Sequence, residues 1–311
     1  MLDWIDCDVL IIGGGIAGCF AAIEASLMTE GVVLVSKFPL SRAGATTVAE
    51  KYIQAPFSHE KPGDSPEIYF KDTVLGGYYL SDQDLVEVMA RDACDRILDM
   101  ERYGVAFEKK GDKFYQMEGP GLSYPRALAP KGAGHGIMLG LRREVEKHDN
   151  ISLFEDTIVT RILRKRSRVG AIGTNLINGK FVVFNASSTV IATGGYERII
   201  RTTDAPPDCT GDGIALAYDM GAEIIDMEFM LYYPTDIIYP KYLYGLEVPS
   251  EFLATDYVGG KLLNSKGEEF LPKGLPLRDV ASLDYFYAEI NSERASPHGG
   301  VYLDVTKSPY S

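Results

Sequence analysis

The pattern Gly13-x-Gly15-x-x-Gly18 constrains this chain more than any other feature. It follows the short apolar run DVLII at residues 8–12 and opens CFAAIEASLM; VVLVS then occupies 32–36. Short, β-rich apolar runs are the pattern of buried parallel strands. The three pieces therefore predict a βαβ unit with a crossover helix. The first glycine permits a tight turn, the second lets the backbone approach a pyrophosphate, and the third allows close helix–strand packing. The helix N-terminus adds N–H groups and partial positive charge. In this setting the pattern predicts a bound dinucleotide. The acidic residue that commonly grips a ribose about 20 residues further on is absent, because the second strand ends in Ser36-Lys37.

Length and charge bound the remaining possibilities. The 311 residues are 46% hydrophobic, enough for one large domain or a large one plus a smaller one. A formal net charge of -13 argues against nucleic acid and anionic lipid heads as partners. The basic run RILRKRSR at 161–168 reads as a solvated hairpin between strands. Cys7, Cys19, Cys94 and Cys209 form no C-x-x-C pair, and His59, His135, His148 and His298 show no metal spacing. This implies a reducing, cytoplasmic compartment and no protein-bound metal. Asp3, Asp6 and Asp8 precede the first apolar stretch, the wrong charge for a signal peptide. No window is apolar enough for a membrane span.

The organisation along the chain follows from periodicity and turn residues. Residues 37–80 are rich in Gly, Pro, Ser and Thr and read as a long functional stretch with little regular structure. Residues 83–103 read as a helix with Leu85, Val88, Met89, Ile97 and Leu98 on one face, and 134–147 as another. ISLFE reads as a strand, and 157–185 as an antiparallel meander turning at Val169-Gly170 and Asn178-Gly179. STVIATGG at 188–195 is an apolar strand ending in a glycine pair, and TGDGIALAYDMGA reads as a loop and helix. The expected fold class is α/β: a Rossmann-like domain over 1–233 carrying a β meander, then a partial α+β domain over 234–311.

The segment SKFPLSRAGATTVAE at 36–50 resembles the stretch after the second strand in the flavoprotein subunits of fumarate reductase and succinate dehydrogenase, and in L-aspartate oxidase. KDTVLGGYYLSDQDLVEVM, EGPGLSYPRAL, GAGHGIMLGL, IATGG, TGDGIALAYDMGAEIIDMEF and GGKLLNSKGEEFL resemble further motifs of that family, so the likeness covers nearly the whole chain. It implies FAD as cofactor. Gly13, Gly14, Gly15, Ala17 and Gly18 are then expected to hold the diphosphate, and Ser36 and Lys37 to face the adenosine ribose. Thr46, Thr47 and Ala49 are expected to line the flavin, Gly194 to pass close to the cofactor, and Asp212 to take a ribityl hydroxyl. Thr46 stands where several members carry the histidine that links flavin covalently, so the expected FAD is non-covalent. Lys51 and Tyr52 replace a following Gly-Gly, and His135 matches a family histidine at a helix start that reads as structural or flavin-adjacent.

The resemblance also implies a chemistry, hydride exchange between flavin and a C–C bond of a dicarboxylate such as fumarate or succinate. DMEFMLYYPTD at 226–236 resembles a family segment that packs against the flavin domain and leads into the active-site wall. Leu231 replaces its Gln, and Tyr233 its substrate-contacting His. A tyrosine hydroxyl can hydrogen-bond a carboxylate but carries no positive charge; Tyr233 reads equally as a core aromatic. Arg278, in LPLRDVASL, matches the family's proton-delivering arginine, a role that demands a dry site and a carboxylate relay. Glu251 of Ser250-Glu251 is the nearest relay, and the alternative for Arg278 is an ion pair at a helix start.

GGVYLDVTKSPYS at the end resembles a strand within the family's capping domain. The expectation is a chain cut within that cap, needing a second chain for the rest of the cap and flavin site. The resemblance further implies a partner iron–sulfur electron-transfer protein, at the inner face of a membrane. A truncated, inactive FAD-binding remnant and a relative with a different substrate are the alternatives.

Overall fold

The structure, a computed structural model, describes residues 3–49, 52–119, 122–200, 203–230, 237, 241–243, 260–269 and 302–306. The chain divides into two compact units. One comprises Met1–Ala55, Asp92–Tyr115 and Leu128–Met230; the other comprises Pro56–Arg91, Gln116–Ala127 and Leu231–Ser311. The sequence reading places all of 1–233 in the first domain, whereas Pro56–Arg91 and Gln116–Ala127 fold with the second unit. Segments far apart along the chain leave no local signal of shared packing, so periodicity cannot detect such an excursion.

The first unit is built on a six-stranded sheet. Its strands are β1 (Asp3–Ile12), β2 (Val32–Val35), β3 (Ile151–Phe154), β4 (Thr157–Lys165), β5 (Arg168–Asn175) and β6 (Phe181–Ile191). Their spatial order is β3-β2-β1-β6-β5-β4. Strands β3, β2, β1 and β6 run parallel, and β6, β5 and β4 form an antiparallel meander. Helix α1 (Ile16–Ser26) makes the crossover from β1 to β2. All four residues of β2 are buried, as expected for a parallel strand covered on both faces. The core gathers Leu10 and Ile12 of β1, Val33 and Val35 of β2, and Phe184 of β6. Phe154 meets Phe184 edge-on at 5.1 Å.

The meander turns differently from the sequence expectation at one end. The β4–β5 hairpin turns at Arg166, with φ +56, and Arg168 already pairs with Lys165. Val169 and Gly170 therefore lie inside β5. Gly170 marks a close approach instead of a turn, because a Cβ there would collide with the Phe184 carbonyl. The second turn holds, with Gly179 at φ +69.

Two helices differ from the sequence reading. Residues 37–80 contain the one-turn α2 (Ala45–Val48) and also α3 (Pro66–Gly76). Helix α3 carries start signals that outweigh the polar composition: the Ser65 hydroxyl accepts from Ile68 N at 3.4 Å, and Pro66 sits at the first helical position. Helix α4 (Gln83–Arg102) exists as expected, but buries Val86, Ala90, Ile97 and Met100. Of the expected face only Ile97 is buried; Leu85, Val88, Met89 and Leu98 are exposed. The buried line runs through the small Ala90, which a reading weighted toward large side chains passes over. Helices α5 (Ala133–Val145) and α6 (Asp212–Asp219) complete the set used below. Among the described residues, no helix is long and apolar enough to cross a membrane.

The second unit includes a short antiparallel pair, β7 (Lys261–Leu263) with β8 (Tyr302–Asp304). It is also tied by Arg126, whose side chain is fully buried. Its Nε and one terminal nitrogen donate to the two oxygens of Asp64 at 2.8 and 2.6 Å. The other terminal nitrogen donates to Asp72 Oδ2 at 2.5 Å, and the guanidinium lies 5.0 Å from the Tyr69 ring centre. The fork geometry suits a bidentate carboxylate. Burial alone would raise the Asp72 pKa, but hydrogen bonds from Ser123 and Arg126 and the Arg126 charge hold it below its ordinary value of 3.8. A depressed carboxylate contributes stability above its unfolded pKa and loses it as pH falls through the folded one. Arg126→Met is expected to cost about 3–5 kcal/mol at pH 7, by leaving buried carboxylates unpaired. The deficit should narrow as pH falls below 3.8 and on through the lowered folded pKa of Asp72, where the folded protein gives up that charge. Urea unfolding of both proteins at pH 7 and pH 3 checks this, and an unchanged gap contradicts it.

Candidate functional site

The site lies at the carboxyl ends of β1, β2 and β6, where ligands bind in open α/β sheets. Gly13 leaves β1 at φ +118 and donates from its N–H to Val35 O at 2.8 Å. A Cβ on Gly13 would collide with the Ala192 carbonyl, and one on Gly18 with the Gly13 carbonyl. These two glycines bring the loop, the helix and β6 together. Gly14 lies against Leu40 and the Ser36 hydroxyl with no room for a side chain. At Gly15 a Cβ would meet only Thr46 Oγ1, at an ordinary 3.5 Å, so the space beside it belongs to the cavity.

Helix α1 begins without a side-chain cap of its own. Thr46 Oγ1 accepts from Ile16 N at 3.3 Å, and the first-turn N–H groups are the ones a helix leaves without intrahelical partners. The cavity in front of them measures about 230 Å³. Gly13, Gly14, Gly15, Ala17, Ser36, Lys37, Thr46, Gly194 and Asp212 all line it. The other three predicted cofactor residues stand behind that wall. Gly18 packs under the loop, the Thr47 hydroxyl donates to Ala43 O at 2.6 Å, and Ala49 O accepts from Gly134 N at 2.8 Å.

Sequence reasoning missed one wall. Thr157, Ile158 and Val159 at the start of β4 line the cavity, since Thr157 N donates to Ser36 O at 3.0 Å and draws β4 to the end of β2. Only the sheet register carries that information. Ala43, Gly44, Asp208 and Cys209 also line it.

The polar part of the cavity is centred on Lys37. Its Nζ donates to Asp212 Oδ2 at 2.8 Å and to Thr210 Oγ1 at 2.7 Å. The Thr210 hydroxyl in turn donates to Asp212 Oδ1 at 2.7 Å. Two of the thiols are held in their unreactive, protonated form: burial pushes Cys19, behind the loop, up to about 12, and Cys7 up to about 11 against a weaker opposing charge from Arg168. His135 Nδ1 lies 3.0 Å from Ser41 O, a tie between α5 and the loop before α2.

Tyr233, Glu251 and Arg278 lie outside the described residues. Of DMEFMLYYPTD, the structure describes residues 226–230. This part holds to its unit through main chain, with the Tyr196 hydroxyl donating to Met227 O at 3.1 Å. The Met227 side chain also lines a shallow apolar pocket with Tyr196, Ile199 and Tyr218 of the same unit, while Phe229 is exposed.

A glycine-walled cavity at the end of a βαβ unit defines a dinucleotide-binding protein. The chain matches the FAD binding domain family over residues 8–309 and belongs to it. The cradle fits that cofactor, because the space a Cβ at Gly15 would fill lies before the helix start where a diphosphate binds. Among curated relatives, one component of the fumarate reductase (CoM/CoB) of Methanothermobacter marburgensis is 37% identical over 310 residues, covering 98% of this chain and 56% of that protein. The L-aspartate oxidase of a Synechocystis strain is 30% identical, covering 96% and 54%. The apo Sdh1 complex of Mycobacterium smegmatis superposes with a TM-score of 0.83 at 32% identity, covering 98% of this chain and 52% of that one. The chain thus spans about half the length of the curated relatives it matches.

Gly15→Ala and Gly18→Ala separate the two roles of the loop. Gly15→Ala is expected to change stability by no more than about 0.5 kcal/mol while weakening FAD binding by about tenfold or more, because the methyl enters the cradle. Gly18→Ala should destabilise the fold itself. Thermal unfolding alongside flavin-fluorescence titration checks both. Full FAD affinity in Gly15→Ala would place the diphosphate elsewhere.

Proposed function

We propose that this chain is part of a flavin-dependent oxidoreductase of the fumarate reductase and succinate dehydrogenase type. The observation that carries the reading is the glycine cradle at the carboxyl end of β1, in a chain matching the FAD binding domain family almost end to end. Bound FAD supplies hydride exchange with a C–C bond of a small dicarboxylate. The cavity residues bind and orient it: the loop and the α1 N-terminus take the diphosphate, and Thr46 and Gly194 lie along the cavity. Thr46 offers no imidazole, so the flavin is held without a covalent bond.

In this reading residues 234–311 belong to the substrate-side cap. Arg278 moves the proton that accompanies the hydride, Glu251 returns it to Arg278, and the Tyr233 hydroxyl orients a substrate carboxylate. The relatives are about twice as long, and we place the rest of the cap and of the flavin wall in sequence beyond these residues, on this polypeptide or another. An iron–sulfur electron-transfer subunit is the partner that this type of protein implies. The relatives named as L-aspartate oxidase, together with Tyr233 in place of histidine, favour one second reading: the same flavin chemistry on an amino dicarboxylate.

The purified chain is expected to show flavin absorption bands, and acid precipitation should release all of the flavin into the supernatant. With a reduced dye as donor, the 311-residue chain alone should give little or no fumarate reduction. Pigment remaining in the pellet would overturn the non-covalent assignment. Robust turnover by this chain alone would overturn the need for further sequence. Turnover with aspartate but not fumarate in the completed protein would favour the second reading.

A further inference from the structure

Leu40 lies in the irregular stretch between β2 and α2, yet it is only 1% exposed. Buried main chain outside helices and strands must find other partners for its N–H and C=O. At Leu40 one ion pair supplies both. Glu155, the residue after β3, accepts from Leu40 N at 2.7 Å through Oε1. Arg142 of α5 donates from one terminal nitrogen to Leu40 O at 3.0 Å and to the same Glu155 oxygen at 2.9 Å. Its other terminal nitrogen donates to Glu155 Oε2 at 3.4 Å, and its Nε to Glu146 Oε1 at 2.8 Å. The Leu40 side chain occupies the space that a Cβ on Gly14 would need. Leu40, Arg142 and Glu155 all stand outside the cavity wall.

We propose that Arg142 and Glu155 clamp the Leu40 main chain from outside the cavity and thereby position the glycine loop for the diphosphate. Three observations support this. First, the polarities match in one sense only: the carboxylate meets the N–H and the guanidinium meets the C=O. An exchange of the two side chains would set donor against donor and acceptor against acceptor. Second, the clamp reaches the loop through a single side chain, because Leu40 packs where Gly14 also meets the Ser36 hydroxyl. Third, the same elements hold the neighbouring groups. The Thr157 hydroxyl, on the cavity wall, donates to Glu155 O at 3.0 Å, and His135 of α5 lies 3.0 Å from Ser41 O, the next carbonyl after the clamped one. A loop already held in its bound geometry costs less to order when a ligand arrives. Arg142 and Glu155 are 27% and 25% exposed, a setting in which an ion pair adds little net stability. Both are therefore positioning residues that act on ligand affinity through Leu40. The proposal rests on FAD as the ligand of this cavity.

The flavin-stripped 311-residue chain is titrated with FAD and with ADP by calorimetry, and the unfolding midpoint of each unliganded variant is recorded. Arg142→Met and Glu155→Ala should each weaken both ligands by about tenfold. The double variant should be no weaker than the weaker single one, because both remove one clamp. Arg142→Lys and Glu155→Gln, which keep a donor for Leu40 O and an acceptor for Leu40 N, should recover part of the loss. Glu146→Ala, which removes only the outer partner of Arg142, should bind as the unaltered chain does. The decisive variant is the exchanged pair, Arg142→Glu with Glu155→Arg. It restores the opposite charges but inverts the polarity facing Leu40, so its binding should stay weak. A variant that does not fold is replaced by Leu40→Val, which shortens the side chain over Gly14 and should weaken both ligands by the same route. Full affinity in Arg142→Met and Glu155→Ala overturns the proposal, and a lowered midpoint beside full affinity would make the pair a feature of the fold alone. Recovery of affinity in the exchanged pair overturns the main-chain clamp in favour of a simple ion pair. Absence of both FAD and ADP binding by the unaltered chain would remove the flavin reading itself and the clamp with it, whereas FAD binding that ignores all of these changes removes only the clamp.

Discussion

The backbone contact among β1, α1 and β6 is the constraint on which the site depends. At Gly13 and Gly18 the main chain approaches other main chain so closely that a single methyl group would collide with a carbonyl oxygen. Dense interiors do not yield to such an overlap without moving whole elements. The approach draws the loop tight, aims the start of α1 at the cavity, and sets the end of β6 beside Ile12 through the Ala192 N to Ile12 O hydrogen bond of 2.7 Å. Gly194, which follows β6, takes its position from there, and the wall at Thr46 is tied to the start of α1 through the Ile16 N hydrogen bond.

A second arrangement is electrostatic and works over a longer separation in sequence. Lys37 lies two residues past the end of β2, and Asp212 opens α6 after Gly211 at φ +76. Their ion pair at 2.8 Å joins the two sides of the cavity. The pair is partly exposed, at 22% and 29%, so its worth lies in orientation more than in net stability. Arg126 in the second unit is the contrasting case: fully buried with two carboxylates, it acts on the fold and not on a ligand.

Much of this was legible locally. The βαβ unit, the glycine loop and the hairpin at Asn178-Gly179 depend on residues within a few positions of one another, and side-chain periodicity or glycine spacing reports them. Elsewhere local signals compete. Polar composition over 37–80 masked the Ser65-Pro66 start of α3. Large apolar residues on α4 outweighed the line through Ala90 that is in fact buried. Gly170 read as a turn because a glycine forced by a close cross-strand approach looks the same in sequence as one required by positive φ.

The sequence by itself determined the class of ligand: glycine is the only residue whose lack of Cβ permits that loop, and its place between an apolar strand and a helix admits a diphosphate. The tertiary structure decided which side chains share the cavity with it. The start of β4 enters through the sheet register, and Asp212 meets Lys37 because α6 begins where β2 ends in space. Contacts of that kind depend on which distant segments the folded chain brings within hydrogen-bond reach, and no local spacing encodes them.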